Sequence, residues 1–391
     1  MSASNIGRDT TMALRDYFRG RQGELLSLIR RLVESESPSG DVEGSRAVVA
    51  LLFERLRELE GVAAVERIES KGCGEHLRAR FFVDPKTEAQ PLLLLGHTDT
   101  VHARGSIIER PFRAEGERLY GPGIFDMKAN CALALEALRA CAALSLSPRR
   151  EVVLLLTCDE EIGSATGRAL VEDETRRAAC VLVLEPPASG GRVKTGRKGT
   201  GIFELEARGI AAHAGLEPEK GASAIHELAR LVERLCALAD PQRGTTINVG
   251  VIAGGTRGNV VAAQARAEID VRFSTADEAR RIEREFAHLS ASDERVKLSL
   301  RGGINRPPLE RTEQVLKLYA HARMVAASFD YELGEAQVGG ASDGNFAAAL
   351  GVPVLDGLGV DGDGAHAVHE HIMIDDIAPR GALLAGLLMT L

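Results

Sequence analysis

The sequence predicts an α/β protein built as two domains, a larger one with a mainly parallel, helix-covered sheet and a smaller one inserted into it. Three observations carry this prediction. The runs "PLLLLGH", "EVVLLLTC" and "CVLVLE" are short and apolar without polar alternation, the pattern of strands buried on both faces. Helical patterns separate them, and the texture changes from about Gly199 to Gly303 before the first pattern returns. At 391 residues and 45% hydrophobic content, the chain also exceeds what one hydrophobic core usually serves.

The elements follow in order. "DYFRGRQGELLSLIRRLVES" and "SRAVVALLFERLREL" repeat apolar residues at three- and four-residue spacing, and "MKANCALALEALRACAAL" places a helix between two of the apolar strands. This is αβ layering. From Gly199, "GIFELEARG" alternates, "GASAIHELARLVERLCALA" reads as a helix, and "TTINVGVIAG" and "ARAEIDVRFS" read as strands. A charged helix, "ADEARRIEREFAHL", and a strand, "RVKLSLRG", complete the order βαββαβ, the split pattern of a ferredoxin-like sandwich. After "GGINRPP", the segments "EQVLKLYAHARMVAASF", "VPVLDGLG" and "IAPRGALLAGLLMTL" return to the first domain's sheet. The expected division is 1–197 and 305–391 for the larger domain and 198–304 for the insert.

Composition narrows the setting. Lys and Arg number 48 against 56 Asp and Glu, a net charge of −8, with both signs interspersed, which argues against a nucleic-acid surface. No window approaches the ~18 apolar residues of a membrane span, and the N-terminal stretch has no apolar core of a signal peptide. A cytoplasmic protein is expected. Cys73, Cys131, Cys141, Cys158, Cys180 and Cys236 fall singly, mostly inside apolar runs and with no CxxC, and read as reduced core residues.

Ionisable residues gather where ligands of open α/β sheets bind, beyond the carboxyl ends of the strands. "LLLLGHTDT" delivers His97 and Asp99, "VVLLLTCDEE" delivers Asp159, Glu160 and Glu161, and "VLVLEPP" delivers Glu185. "GPGIFDMKAN" sets Asp126 on a glycine-rich turn, and "VDGDGAHAVHEH" brings His366, His369 and His371. Taken singly, each has a plainer reading: a surface histidine, a helix cap, a solvated loop acid. Together they have the composition of a transition-metal site. A dication would also offset the repulsion between the adjacent Glu160 and Glu161, which resist burial side by side.

The ordered set "GHTDTV", "GPGIFDMK", "DEEIGS", "LEPP", "GIAAHAG" and "GGASDG" resembles the M20 family of metallopeptidases and deacylases, which includes glutamate carboxypeptidases of the carboxypeptidase G2 type, succinyl-diaminopimelate desuccinylases and acetylornithine deacetylases. The resemblance runs from about residue 20 to the C-terminus. It implies a catalytic domain binding two zinc ions per subunit, with cobalt or manganese as substitutes, and a lid domain through which the chain forms a homodimer. It also implies a small peptide or N-acyl amino acid substrate, and neither a nucleic-acid nor a membrane partner.

Carried over residue by residue, the resemblance makes His97 and Glu185 ligands of the first metal, Asp126 the bridging carboxylate, and Glu161 and His366 ligands of the second. Glu160 becomes the general base and Asp99 the carboxylate that orients His97. The family's terminal motif has a histidine followed after two residues by Asn or Asp and then Glu; this chain has "HAVHE", with His369 where the amide or acid normally sits and Glu370 at the Glu, which leaves His369 as the alternative to His366. In the lid, His213 resembles the histidine that crosses to the partner's site to stabilise the oxyanion. Asn259, Arg272 and Gly340 resemble the residues that hold the substrate carboxylate, with Asp343 as a structural neighbour. Arg197, Lys198, Arg301 and Arg306 are weaker candidates for side-chain preference. The residue types suit the chemistry: two metals ~3.5–4 Å apart acidify a water and polarise the scissile carbonyl, and a carboxylate outside the ligand shell moves the proton to the leaving nitrogen.

Overall fold

The computed structural model describes residues 6–391. Two compact units make it up: one runs to Thr195 and resumes over Arg311–Val338 and Ser342–Leu391, and the other comprises Gly196–Glu310 with Gly339–Ala341.

The larger unit is organised by a six-stranded sheet. Leu92–His97 and Val152–Thr157 lie side by side in parallel, Cys180–Val183 pairs parallel on the other side of Leu92–His97, and Val354–Leu355 adds a short parallel edge. Every residue of the three longer strands is buried, as expected for strands covered on both faces. The sequence reading assigned nothing to the hairpin Val62–Ser70 and Gly74–Phe81, which extends the sheet antiparallel to Val152–Thr157. Its signal is diluted by charge. Arg78 and Arg80 project from one face to Glu66, Glu151 and Glu174, ion pairs that cover that face in place of apolar side chains, and Arg67 pairs with Glu75 on the other.

Helices pack on this sheet through a single apolar core. Ala129–Ala143 and Ile377–Thr390 are buried along most of their lengths, the mark of helices enclosed on several sides. The helical pattern read across residues 16–35 is in fact two helices, Arg8–Gly20 and Gln22–Glu34. Gly20 lowers helix propensity at the junction, and Arg21 turns its guanidinium to the buried Glu136. A small antiparallel sheet joins Arg113–Glu115, Arg118–Tyr120, Gly362–Asp363 and His371–Met373.

The smaller unit is an antiparallel four-stranded sheet in the order Thr246–Gly254, Gln264–Phe273, Gly199–Arg208, Lys297–Arg306. Helices Ala224–Cys236 and Ala276–Ala287 complete the βαββαβ order. Along Gln264–Phe273 the odd-numbered residues, from Ala265 to Phe273, are buried and face a separate core. The even-numbered ones from Arg266 to Arg272 carry charge. Ser223 and Thr275 cap the two helices by accepting from His226 N and Glu278 N, contacts worth about 1 kcal/mol each that fix where each helix starts.

Cys131, Cys141, Cys158 and Cys180 are buried, and burial pushes each thiol up to about 12. Cys73 is half-buried and Cys236 is exposed. The core reading therefore does not hold for Cys236, which ends a helix on its solvent side. No helix among the described residues is long and apolar enough to cross a membrane.

Glu278 is buried in the smaller unit and accepts from Arg281, Thr245 and Arg243. The Arg281 hydrogen bond leads in lowering its carboxyl from 4.5 to about 2. A group whose folded pKa is depressed stabilises the fold above its unfolded pKa and loses that contribution as pH falls toward the folded value. Glu278→Gln should therefore weaken amide-exchange protection of the helix Ala276–Ala287 at pH 7, and its difference from wild type should shrink between pH 4.5 and 2. A difference independent of pH over that range would show that the carboxylate charge is immaterial.

Candidate dinuclear metal centre

The centre is assembled at the carboxyl ends of the parallel strands. His97 ends its strand and is buried. Its Nδ1 donates to the Asp99 carbonyl at 3.0 Å and lies 3.4 Å from Asp99 Oδ1. This fixes the ring so that Nε2 faces Asp126 Oδ1 at 3.2 Å and Glu185 Oε1 at 3.4 Å. Just before His97, a Cβ at Gly96 would stand 2.6 Å from Met127 Cε and would displace that side chain.

Asp126 presents one oxygen to each histidine, Oδ1 to His97 and Oδ2 to His366 Nε2 at 3.5 Å. The turn that carries it needs Gly123 in the left-handed region, at φ +69°, where a Cβ would also meet Thr100 Cγ2. His366 Nε2 is 3.2 Å from Glu161 Oε2. His369 is exposed and belongs to neither ligand cluster. Donor atoms of His97, Asp126 and Glu161 lie within 4.8 Å of one another, as do those of His97, Glu160 and Glu185. Glu160, read from sequence as standing outside the ligand shell, is thus within reach of it.

Asp99 organises the loop as well as the ring. Its carboxylate accepts from Glu160 N and Glu161 N, both at 3.2 Å, and from Ser39 Oγ at 2.6 Å. Burial opposes its charge, but the His97 contact and these donors hold its carboxyl below the usual range. Asp159, between the strand and the glutamates, is committed to Thr166 and Gly167 of the following helix start. Asp343 accepts from Thr157 Oγ1 and Ser164 Oγ, a brace behind the same loop.

The electrostatics reflect four carboxylates around two imidazoles. Hydrogen bonding to Asp126 and then Glu161 raises His366 to about 10. Burial works against a charge on His97, yet bonds to Asp126, Asp99 and Glu185 outweigh it and hold the ring well above its ordinary value. Burial first, then the Asp126 charge, push Glu161 up. The carboxylates draw positive charge toward both imidazoles, and dications would supply the same balance. The donor set fits such ions. Glu161 Oε1 is buried and without a hydrogen-bond partner, an acceptor left open on the face shared with Asp126 and His366.

A family model described as Peptidase family M20/M25/M40 matches residues 93–390. The chain belongs to this family. Carboxypeptidase G2 of Pseudomonas sp. (strain RS-16) is 30% identical over 379 residues, covering 95% of this chain and 90% of that protein. A succinyl-diaminopimelate desuccinylase of Verminephrobacter eiseniae (strain EF01-2) is 31% identical over 313 residues, 75% of this chain and 76% of the relative. Two solved structures share the fold. Aminopeptidase PepT from Bacillus cereus ATCC 10987 has a TM-score of 0.77 at 21% identity, covering 94% of this chain and 98% of its own. The Bacillus subtilis YXEP protein, described as a dinuclear metal binding peptidase of the M20 family, has a TM-score of 0.65 at 15% identity, covering 95% and 98%. The chain is accordingly an M20 hydrolase of amide or peptide bonds with a His, Asp and Glu cluster suited to metal.

The remaining M20 candidates lie in the smaller unit. His213 is exposed on a turn, with Nδ1 accepting from Gly215 N at 3.1 Å. The neighbouring loop carries Asn259, whose carbonyl accepts from Ala214 N. Arg272 is engaged by Asp270 on the same sheet face, at 2.9 Å through both Nε and NH2. The Gly340 carbonyl accepts from the buried Arg197, which also reaches the Ala341 carbonyl, so Arg197 is a strut rather than a solvated loop charge. Arg301 is exposed, 3.9 Å from Glu204, and Arg306 is buried against Asn305, while Lys198 is half-buried.

Sequence reasoning missed Ser39 and Glu370. A lone serine in a turn carries no signal; Glu370 falls on the Glu of the terminal motif, but the sequence reading assigned it no role, and its burial directly after the exposed Val368 and His369 is a contrast that only the fold reveals.

Asp126→Ala is expected to lose divalent-ion binding at both positions, since it removes the carboxylate shared by both histidines. Elemental analysis against wild type checks this, and unchanged metal content would remove Asp126 from the centre.

Proposed function

We propose that the chain is a dinuclear zinc exopeptidase that hydrolyses an amide bond to release a C-terminal amino acid, in the manner of a glutamate carboxypeptidase. The observation that carries the reading is Asp126, with one carboxylate oxygen toward each of two histidines and Glu160 within reach. A relative named as a carboxypeptidase, aligned over 95% of the chain, supports the substrate class. An N-acyl-amino-acid deacylase is the second reading, supported by the desuccinylase relatives.

His97, Glu185, Asp126, Glu161 and His366 would hold the two ions, zinc by preference and cobalt or manganese as substitutes. When bound, they supply an acidified water and polarisation of the scissile carbonyl. Glu160 takes the water's proton and delivers it to the leaving nitrogen, and Asp99 holds both His97 and the Glu160 backbone in register. Arg272, Asn259 and the Gly340 amide receive the substrate carboxylate. Arg272 then exchanges Asp270 for the substrate, a bidentate partner of the same geometry. His213 serves the oxyanion of a partner chain's site. A homodimer is supported by the edge strand Thr246–Gly254, which exposes Val251 and Ile252 on an unpaired ladder. Six free cysteines support a cytoplasmic setting.

A screen of zinc-loaded protein against aminoacyl-glutamate and N-acyl amino acid libraries, scored for released amine, separates the two readings. Turnover of aminoacyl-glutamates establishes the first, and turnover of N-acyl substrates alone establishes the second. Within the active protein, Glu160→Gln should retain both metals and lose at least ~10²-fold in turnover. Loss of one metal along with activity would make Glu160 a ligand instead of the base.

If His213 acts across a dimer, Glu160→Gln and His213→Ala are each inactive alone but complement when mixed as exchanging subunits. A heterodimer then holds one whole site and one lacking both groups, so recovery reaches about half of wild type per heterodimer. An active His213→Ala would make the residue an ordinary turn histidine. No recovery despite demonstrated exchange would confine it to its own chain.

A further inference from the structure

Glu370 is buried to 2% exposure and lies four residues beyond His366. Its carboxylate accepts four hydrogen bonds. Oε1 receives Phe125 N and Asp126 N, both at 2.9 Å, and Oε2 receives Gly123 N at 2.8 Å and His102 Nε2 at 2.5 Å. Arg110 NH2 stands 3.3 Å from the other ring nitrogen of His102. Arginine can only donate, so His102 Nδ1 accepts and the hydrogen sits on Nε2, directed at Glu370.

The placement has a backbone logic. The strands Arg118–Tyr120 and His371–Met373 pair until His371 meets Tyr120, and beyond that the ladder ends because the 121–126 turn diverges. The N–H groups of the turn would then be buried without partners, which costs more than an ordinary hydrogen bond returns. The Glu370 side chain, at the point where its own strand begins, takes over from the ladder and accepts three of them.

We propose that Glu370 is the positioning residue that sets Asp126 relative to His366, and so fixes the spacing of the two metal positions. One carboxylate ties the turn carrying the bridging aspartate to the segment carrying the second histidine. His102 is its second-rank support, supplying the fourth donor and orienting the carboxylate. This inference rests on the proposed metal-binding reading of Asp126 and His366.

Glu370→Gln is nearly isosteric, but each oxygen accepts from two N–H donors. Either orientation of the amide sets its NH2 against two of them. The test uses the full-length chain, with Co2+ as the probe. Wild type should bind two equivalents, and failure to do so would sink the metal reading itself and not this inference. In the metal-free Glu370→Gln protein, amide exchange should accelerate at Gly123, Phe125 and Asp126 beyond any general change. Co2+ affinity should fall ~10–100-fold, the usual cost of losing a group that orients a metal ligand, with an altered visible absorption spectrum. Wild-type affinity and spectrum in a folded Glu370→Gln would overturn the proposal, as would unchanged exchange at those three amides.

Should that variant not fold, His102 decides. His102→Gln retains an N–H donor and should keep near wild-type Co2+ affinity, whereas His102→Leu should lose several-fold. Equal affinity of the two variants would overturn the role, because a merely structural histidine lowers thermal stability without moving the metal constants.

Discussion

The constraint on which the larger unit turns is the crowding of four carboxylates at the dry ends of buried strands. Asp126, Glu160, Glu161 and Glu185 crowd around His97, and His366 stands against Asp126 and Glu161. Isolated charges cannot be buried in this way without partners. The chain meets the cost in two ways: the imidazoles of His97 and His366 face the carboxylates, and Asp99 and Glu370 draw the surrounding loops tight by accepting backbone N–H groups. A pair of dications would satisfy the same demand more fully, and the open Glu161 Oε1 marks an acceptor that the protein alone does not satisfy.

The sheet makes this crowding geometrically possible. Because Leu92–His97 pairs with both Val152–Thr157 and Cys180–Val183, three chain segments emerge side by side, each delivering its acid or histidine within a residue or a few of the last apolar position. Parallel pairing sets those ends level. His97 stands opposite Thr157, so the residues just beyond Thr157 arrive beside the histidine. An antiparallel arrangement would have sent alternate ends away. The chemistry at the centre is thus a consequence of strand direction as much as of residue type.

This explains what was legible in the sequence. Apolar strands that end in ionisable residues announce both the sheet and the site, and the alternation of Gln264–Phe273 announces a half-buried antiparallel sheet. The family resemblance then sorted His97, Asp126, Glu161, Glu185 and His366 into roles that spacing alone leaves open. The hairpin of Val62–Phe81 escaped because ion pairs with Glu151 and Glu174, distant in sequence, do the covering that apolar residues do elsewhere. The break at Gly20 escaped because helical periodicity continues through it. Glu160's nearness to His97 and Glu185 is a matter of side-chain direction, which adjacency to Glu161 does not fix.

Glu370 belongs to a wider use of acids in this fold. Glu36 accepts from Gly105 N and Ile107 N, Asp159 from Thr166 N and Gly167 N, and Glu227 from Ser292 N and Asp293 N. In each case a segment leaves regular structure with its N–H groups turned inward, and a carboxylate with two acceptor oxygens closes them off more strongly than neutral acceptors could. Such acids look like surface residues in a sequence, because burial of Asp or Glu is uncommon without partners. At most of these positions the bond only ties off a loop. At Asp99 and Glu370 the tied loops are those that carry Glu160, Glu161 and Asp126, so the same device that satisfies the backbone also sets the distances on which the chemistry of the centre depends.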